Sequence, residues 1–393
     1  MGKAGHPSKT LWVVSLLAVG LAIIIVWLLS FFLASPLGLL WRRSDFVRGD
    51  FTFSQDSQWL GYRTFDEFVV RRTKDGREVW RKKLPGHFFS FCIPLPSKDL
   101  VAVYDRGRKF LEFWRLQDGK TVKRLPLAVQ DEVLEIHPSP DGRWLLVETR
   151  EGIALCRTDD ARLIRYWSAR DWDLRSVGRV AFDNESQTVA LVTFQFKKVQ
   201  VQWRRLSDGA LLARWQFPFH PHSLSFSPDG RFLVVGGYQL PVKGRVHVPP
   251  LSPHSHFVVL RLPKGQVVFR AELKGVNCYY HVQFSPDGRF LVTVGERLRL
   301  WRVGDWKLIS DRTFGRWLRV NLNWAWAKGK PLIWLASGIA YDPAISPDGQ
   351  FLAVWVRGGM DIDLGFWRRL PQDWVYLFRL PNGERQMGMD ASK

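Results

Sequence analysis

Two hydrophobic patterns divide the chain. From Leu11 to Leu33 the only polar residues are Ser15 and Ser30. At about 1.5 Å per residue this stretch is roughly 35 Å long, enough to cross a bilayer core of about 30 Å. Beyond Arg48 the pattern changes to short apolar segments alternating with polar positions, punctuated by Pro-Asp-Gly and Asp-Gly. Period-two alternation broken by such turns predicts β-strands joined in hairpins.

The punctuation is periodic. Ser-Pro-Asp-Gly stands at 139–142, 227–230, 285–288 and 346–349, each time followed by Arg or Gln, an aromatic and aliphatics. Degenerate copies lie at Phe53–Leu60, Ile93–Val101 and Phe182–Gln187, giving seven units anchored at 53, 93, 138, 182, 226, 284 and 345. The first four spacings, 40 to 45 residues, are those of a four-stranded propeller blade. Proline presets φ, aspartate bonds its own backbone and glycine takes positive φ. Asp141, Gly142, Asp229, Gly230, Asp287, Gly288, Asp348 and Gly349 are therefore read as turn residues and not as a shared acidic or metal site. Third strands end in Trp-Arg, as in Trp114-Arg115, Trp203-Arg204 and Trp301-Arg302.

At these residues the sequence resembles the WD-repeat β-propellers, and its Ser-Pro-Asp-Gly form is similar to propeller repeats of the TolB type. The resemblance covers about residues 50–386 and implies an all-β, seven-bladed β-propeller of four-stranded antiparallel blades, here preceded by one transmembrane helix. The chain departs from the WD pattern: third strands end in Trp-Arg or Phe-Arg instead of Trp-Asp, and Gly-His occurs near a blade start only at Gly86-His87. The expected organisation is a basic tail (1–10), a signal-anchor helix (11–33), a linker (34–49), the propeller (50–386) and a C-terminal tail (387–393).

In a meander of strands A to D, the A–B and C–D turns share one face of the disc, and the B–C and D–A loops share the other. The Pro-Asp-Gly and Asp-Gly turns are tight, so one face is plain. Three insertions fall on the other face, at 239–255, 315–339 and 358–373, over blades five to seven. If the first blade's strand A follows the membrane helix directly, the tether enters from the insertion face too. Binding residues concentrate on such loops. The middle insertion interleaves Arg316, Trp317, Arg319, Trp324, Trp326, Lys328, Lys330 and Trp334. Three readings compete: an interfacial contact with anionic lipid, a hot-spot patch for a protein partner, or an extra hairpin turned at Ala327 to Pro331.

Composition narrows the chemistry. The chain of 393 residues carries 57 Lys and Arg against 37 Asp and Glu, a net +20, almost all of it in the propeller. Much of the bias recurs at the Trp-Arg strand ends and after Asp-Gly turns, which predicts a repeat-encoded basic surface. The three cysteines form no C-x-x-C pair, so disulfide scaffolds and cysteine-rich zinc modules are disfavoured. His247, His254 and His256 have no carboxylate or cysteine near them in sequence to complete a metal shell. G-x-S-x-G, Walker and H-E-x-x-H motifs do not occur. No cofactor, metal or catalytic residue is assigned.

The resulting expectation is a single-pass membrane protein, held through Leu11 to Leu33, whose extracytoplasmic propeller is a non-enzymatic interaction or scaffold module for a protein partner. The alternatives are a propeller enzyme, hydrolase or oxidoreductase, with a channel-centred site, or a basic surface binding anionic polymer or lipid. An exported domain never meets nucleic acid, which disfavours that partner.

Overall fold

The computed structural model describes residues 38–44, 47–85, 91–172, 176–194, 199–238, 254–274, 281–295, 297–321, 332–357 and 373–381. Leu11–Leu33, both chain tails and most of the insertions lie outside these. No helix among the described residues is long and apolar enough to cross a membrane.

The chain opens with β1 (Gly38–Ser44). Blade one is β2 (Val47–Phe53), β3 (Trp59–Thr64), β4 (Glu67–Arg72) and β5 (Glu78–Lys83); blade two is β6 (Phe91–Leu95), β7 (Leu100–Asp105), β8 (Phe110–Arg115) and β9 (Thr121–Pro126). Blade three is β10 (Val133–Pro138), β11 (Trp144–Thr149), β12 (Gly152–Arg157) and β13 (Leu163–Ser168); blade four is β14 (Ser176–Phe182), β15 (Thr188–Phe194), β16 (Val199–Arg205) and β17 (Leu211–Gln216). Blade five is β18 (His220–Phe226), β19 (Phe232–Tyr238), β20 (His254–Arg261) and β21 (Gln266–Lys274). Blade six is β22 (His281–Phe284), β23 (Phe290–Val294), β24 (Arg297–Arg302) and β25 (Leu308–Asn321), and β26 (Leu332–Ile345), β27 (Phe351–Arg357) and β28 (Asp373–Arg379) follow.

The protein is a seven-bladed propeller of four-stranded antiparallel blades. Middle strands such as β7 and β12 are buried almost throughout, whereas outer strands such as β5, β9 and β17 expose alternate residues. A strand covered on both faces reads as a continuous apolar run, and one at the rim alternates. The core is divided accordingly. Seven hydrophobic clusters occur among the described residues, one in each wedge between neighbouring blades, including Trp41, Phe51, Phe53, Ala353 and Val375 between the seventh and the first.

The ring is closed by the N-terminus. Strand β1 pairs antiparallel with β28, Gly38 opposite Arg379 and Ser44 opposite Trp374, and supplies the fourth strand of blade seven. Residues 38–44 therefore belong to the propeller, although their polar and basic flanks read as part of a linker. The register also overturns the expected entry of the N-terminal segment from the insertion face. Arg379 lies opposite both Gly38 and Phe351, the residue just after the Ser346–Gly349 turn, so the chain enters β1 on the face of the tight turns. Strand β28 ends on that face as well. The strand ends that bear the insertions lie on the other.

Candidate functional site

The three insertions occupy their expected places. Residues 239–253 join β19 to β20, 358–372 join β27 to β28, and the middle one lies between β25 and β26. Here β25 and β26 continue past their blades and pair with each other from Phe314 opposite Gly338 to Asn321 opposite Leu332. This two-stranded ribbon links blades six and seven into one eight-stranded sheet. The hairpin reading of the insertion thus describes the paired backbone, and the turn expected at Ala327 to Pro331 lies outside the described residues. Trp317 stands opposite Ala336, and Arg319 opposite Trp334. Arg316 stands opposite Ser337. Trp324, Trp326, Lys328 and Lys330 lie outside the described residues.

The repeated turns form a different chemistry. Ser227 Oγ donates to Asp229 Oδ1 (2.7 Å) and accepts from Phe232 N (2.8 Å), while Asp229 Oδ1 accepts from Arg231 N (3.1 Å). The same arrangement holds Asp141, Asp287 and Asp348. Gly142, Gly230, Gly288 and Gly349 take φ of 68 to 70°. Partial burial pushes the carboxyls of Asp141, Asp229 and Asp287 up, but their serine, backbone and arginine hydrogen bonds hold them below the ordinary value.

Arginines at the repeat positions are paired locally. Arg143, Arg231 and Arg289 bind the turn aspartates, and Arg72, Arg115, Arg157, Arg205 and Arg302 bind the aspartates of the C–D turns. The tight-turn face is therefore charge-balanced at these positions, and the expected repeat-encoded basic surface is not formed by them. Residues 239–253 and 314–338, by contrast, contain Lys243, Arg245, Arg316, Arg319, Lys328 and Lys330 and no acidic residue.

A second cluster lines the inner ends of blades three to six. Glu135 and His137 are two apart on the innermost strand β10, and Glu148 of β11 lies directly opposite Glu135. Their ligating atoms all fall within 4.8 Å of one another. Glu148 is buried, and its Oε1 accepts from Val177 N of blade four at 3.1 Å. Burial, with the charge of Glu135 added, pushes its carboxyl up to about 7 against that bond. Burial holds the imidazole of His137 down, Glu135 opposing and Arg179 assisting. His222 and His281 are held down to about 3 by burial and by Arg179, and for His222 also by His281 and His220. His222 lies 6.0 Å from His281 by ring centroids, and Tyr238 stacks on His220 at 5.0 Å.

Sequence motifs did not reveal this cluster, because its members come from separate repeats. A positional signal was present: Glu135, Arg179 and His281 each stand four residues before the first residue of their blade's turn, as does Asp50. His256 instead stacks on Phe219 (5.7 Å). Cys92 and Cys156 are buried free thiols, that of Cys156 pushed up to about 12 by burial.

No protein-family model matches the sequence, and neither does any curated protein. Among solved structures, the fold is similar to Kuenenia stuttgartiensis hydrazine synthase, with a TM-score of 0.56 and 14% identity over 77% of this chain and 91% of that chain. At that identity the likeness shows the propeller fold alone.

Proposed function

We propose that this propeller is a membrane-tethered, non-enzymatic interaction module of WD-repeat-like type, which takes a protein partner on the insertion face of blades five to seven. The register of β1 carries this reading. Strand β1 begins on the tight-turn face, which supports a bilayer holding Leu11–Leu33 on the side opposite the ribbon. A Trp- and Arg-bearing ribbon directed away from the tether suits a protein partner, for which those residue types supply most binding energy. It suits contact with the tethering bilayer less well. The propeller is then extracytoplasmic and presents the ribbon outward.

The test replaces residues 315–337 by a two-residue hairpin turn in the full chain. Loss of a specific co-purifying protein, with the thermal midpoint of the propeller retained, supports the reading. Retention of that protein by the shortened chain contradicts it.

A channel-centred enzyme is the second reading, favoured by the convergence of Glu135, His137, Glu148, Arg179, His222 and His281. Turnover in hydrolase or oxidoreductase screens that is lost on Arg179→Ala would favour it over the binding module.

A further inference from the structure

The cluster has the composition of a metal shell and lies in blade three, outside the blades five to seven that carry the insertions. Glu135 and His137, being two residues apart on one strand, project from the same side of the sheet. Glu148 joins them there through its register with Glu135. Two carboxylates and one imidazole thus meet on a single face of the wedge between blades three and four.

We propose that Glu135, His137 and Glu148 bind one divalent first-row transition cation, of the Zn²⁺ or Mn²⁺ kind, beside the propeller channel. Distances support a shell that closes with small side-chain rotations. Glu135 Oε2 lies 4.0 Å from His137 Nε2, and metal bonds of about 2.0–2.2 Å place two ligands no more than about 4.4 Å apart. His137 Nε2 is itself buried and has no hydrogen-bond partner. A buried polar atom without a partner has lost its water without compensation, and a metal bond restores it. The Val177 N–H on Glu148 Oε1 supplies outer-shell orientation and leaves the other oxygen for the ion. Arg179 places one positive charge near the site, which the two carboxylates outnumber. A mixed oxygen and imidazole set suits Zn²⁺ or Mn²⁺ better than Mg²⁺ or Ca²⁺, which favour oxygen alone. Three protein ligands also leave a coordination position for water.

The experiment uses the full chain, stripped with chelator and equilibrated with Zn²⁺ or Mn²⁺, with bound metal measured by mass spectrometry. Wild-type protein is expected to retain one equivalent in the presence of excess Mg²⁺. Glu135→Gln and His137→Gln are expected to weaken binding by about tenfold or more, the scale seen on disturbing metal shells. Both should keep the metal-free thermal midpoint. Glu135 is 41% exposed, so its variant carries the test if His137→Gln does not fold. Absence of binding by the wild type, equal affinity in Glu135→Gln, or loss of binding only on substituting His247, His254 and His256 would each overturn the proposal.

Discussion

The indole of Trp41 lies over Gly76, so close that a Cβ at residue 76 would come within 2.7 Å of the ring, and its Nε1 donates to Thr73 O at 2.7 Å. Trp41 belongs to the ring-closing strand and Gly76 to the C–D turn of blade one. Trp80 over Gly119 repeats the contact one blade on, at 2.9 Å. These two outer strands are thus locked to the next blade's turn, and glycine is required twice over at Gly76 and Gly119, for the space and for φ of +68°. Trp41→Ala should lower stability by about 3–5 kcal/mol, the cost of removing a buried aromatic. Gly76→Ala should also destabilise. Denaturant midpoints equal to wild type would refute the lock.

Ring closure by β1 makes the propeller sensitive to where it is cut. A chain beginning at residue 36 retains the strand that pairs with β28 and should melt as the full chain does. A chain beginning at residue 45 loses it and exposes the edge of β28, which invites association through unpaired backbone. It should melt lower and form oligomers in sedimentation. Identical melting of the two truncations would show that β1 adds nothing.

Acid should weaken the fold through His222 and His281. Their folded values near 3 lie below the ordinary 6.5, so between these limits the unfolded chain binds protons that the folded chain does not. Stability is full above about pH 6.5 and falls as pH drops toward 3. Arg179, His220 and Tyr238 face His222, and Arg179 opposes protonation of both rings. Urea midpoints measured across pH 7 to 4 should decline, and His222→Asn with His281→Asn should flatten the slope. An equal slope in that variant would exclude these rings as the cause.

The turn hydrogen bonds are local supports. Ser285→Ala removes both the bond to Asp287 and the acceptor for Phe290 N, and should cost about 1 kcal/mol, as typical hydrogen bonds do. Asp287→Asn should cost a similar amount. Chemical denaturation reads both, and a change below experimental scatter would assign the turn to its glycine alone.

Much of the fold was legible because each blade repeats its turn chemistry. Ser227, Asp229 and Gly230 act through neighbours within five residues, and such interactions leave a local pattern. What stayed hidden was non-local. Nothing near Gly38 marks it as the partner of Arg379, since an outer strand with one exposed face carries little apolar signal. Glu135, Arg179 and His281 come together only because the ring brings three blades to one channel. The arginines showed the opposite problem: their number was plain, but only the folded turns show that Arg231 and Arg289 are paired with Asp229 and Asp287.

The central claim is that tether and binding surface occupy opposite faces. Photo-crosslinking residues placed singly at Arg319 and at Asp229, in the full chain within its native membrane, test it directly. The expected result is a discrete protein adduct from position 319 and lipid adducts or none from position 229. Lipid adducts from position 319, with the protein adduct arising from position 229, would contradict it.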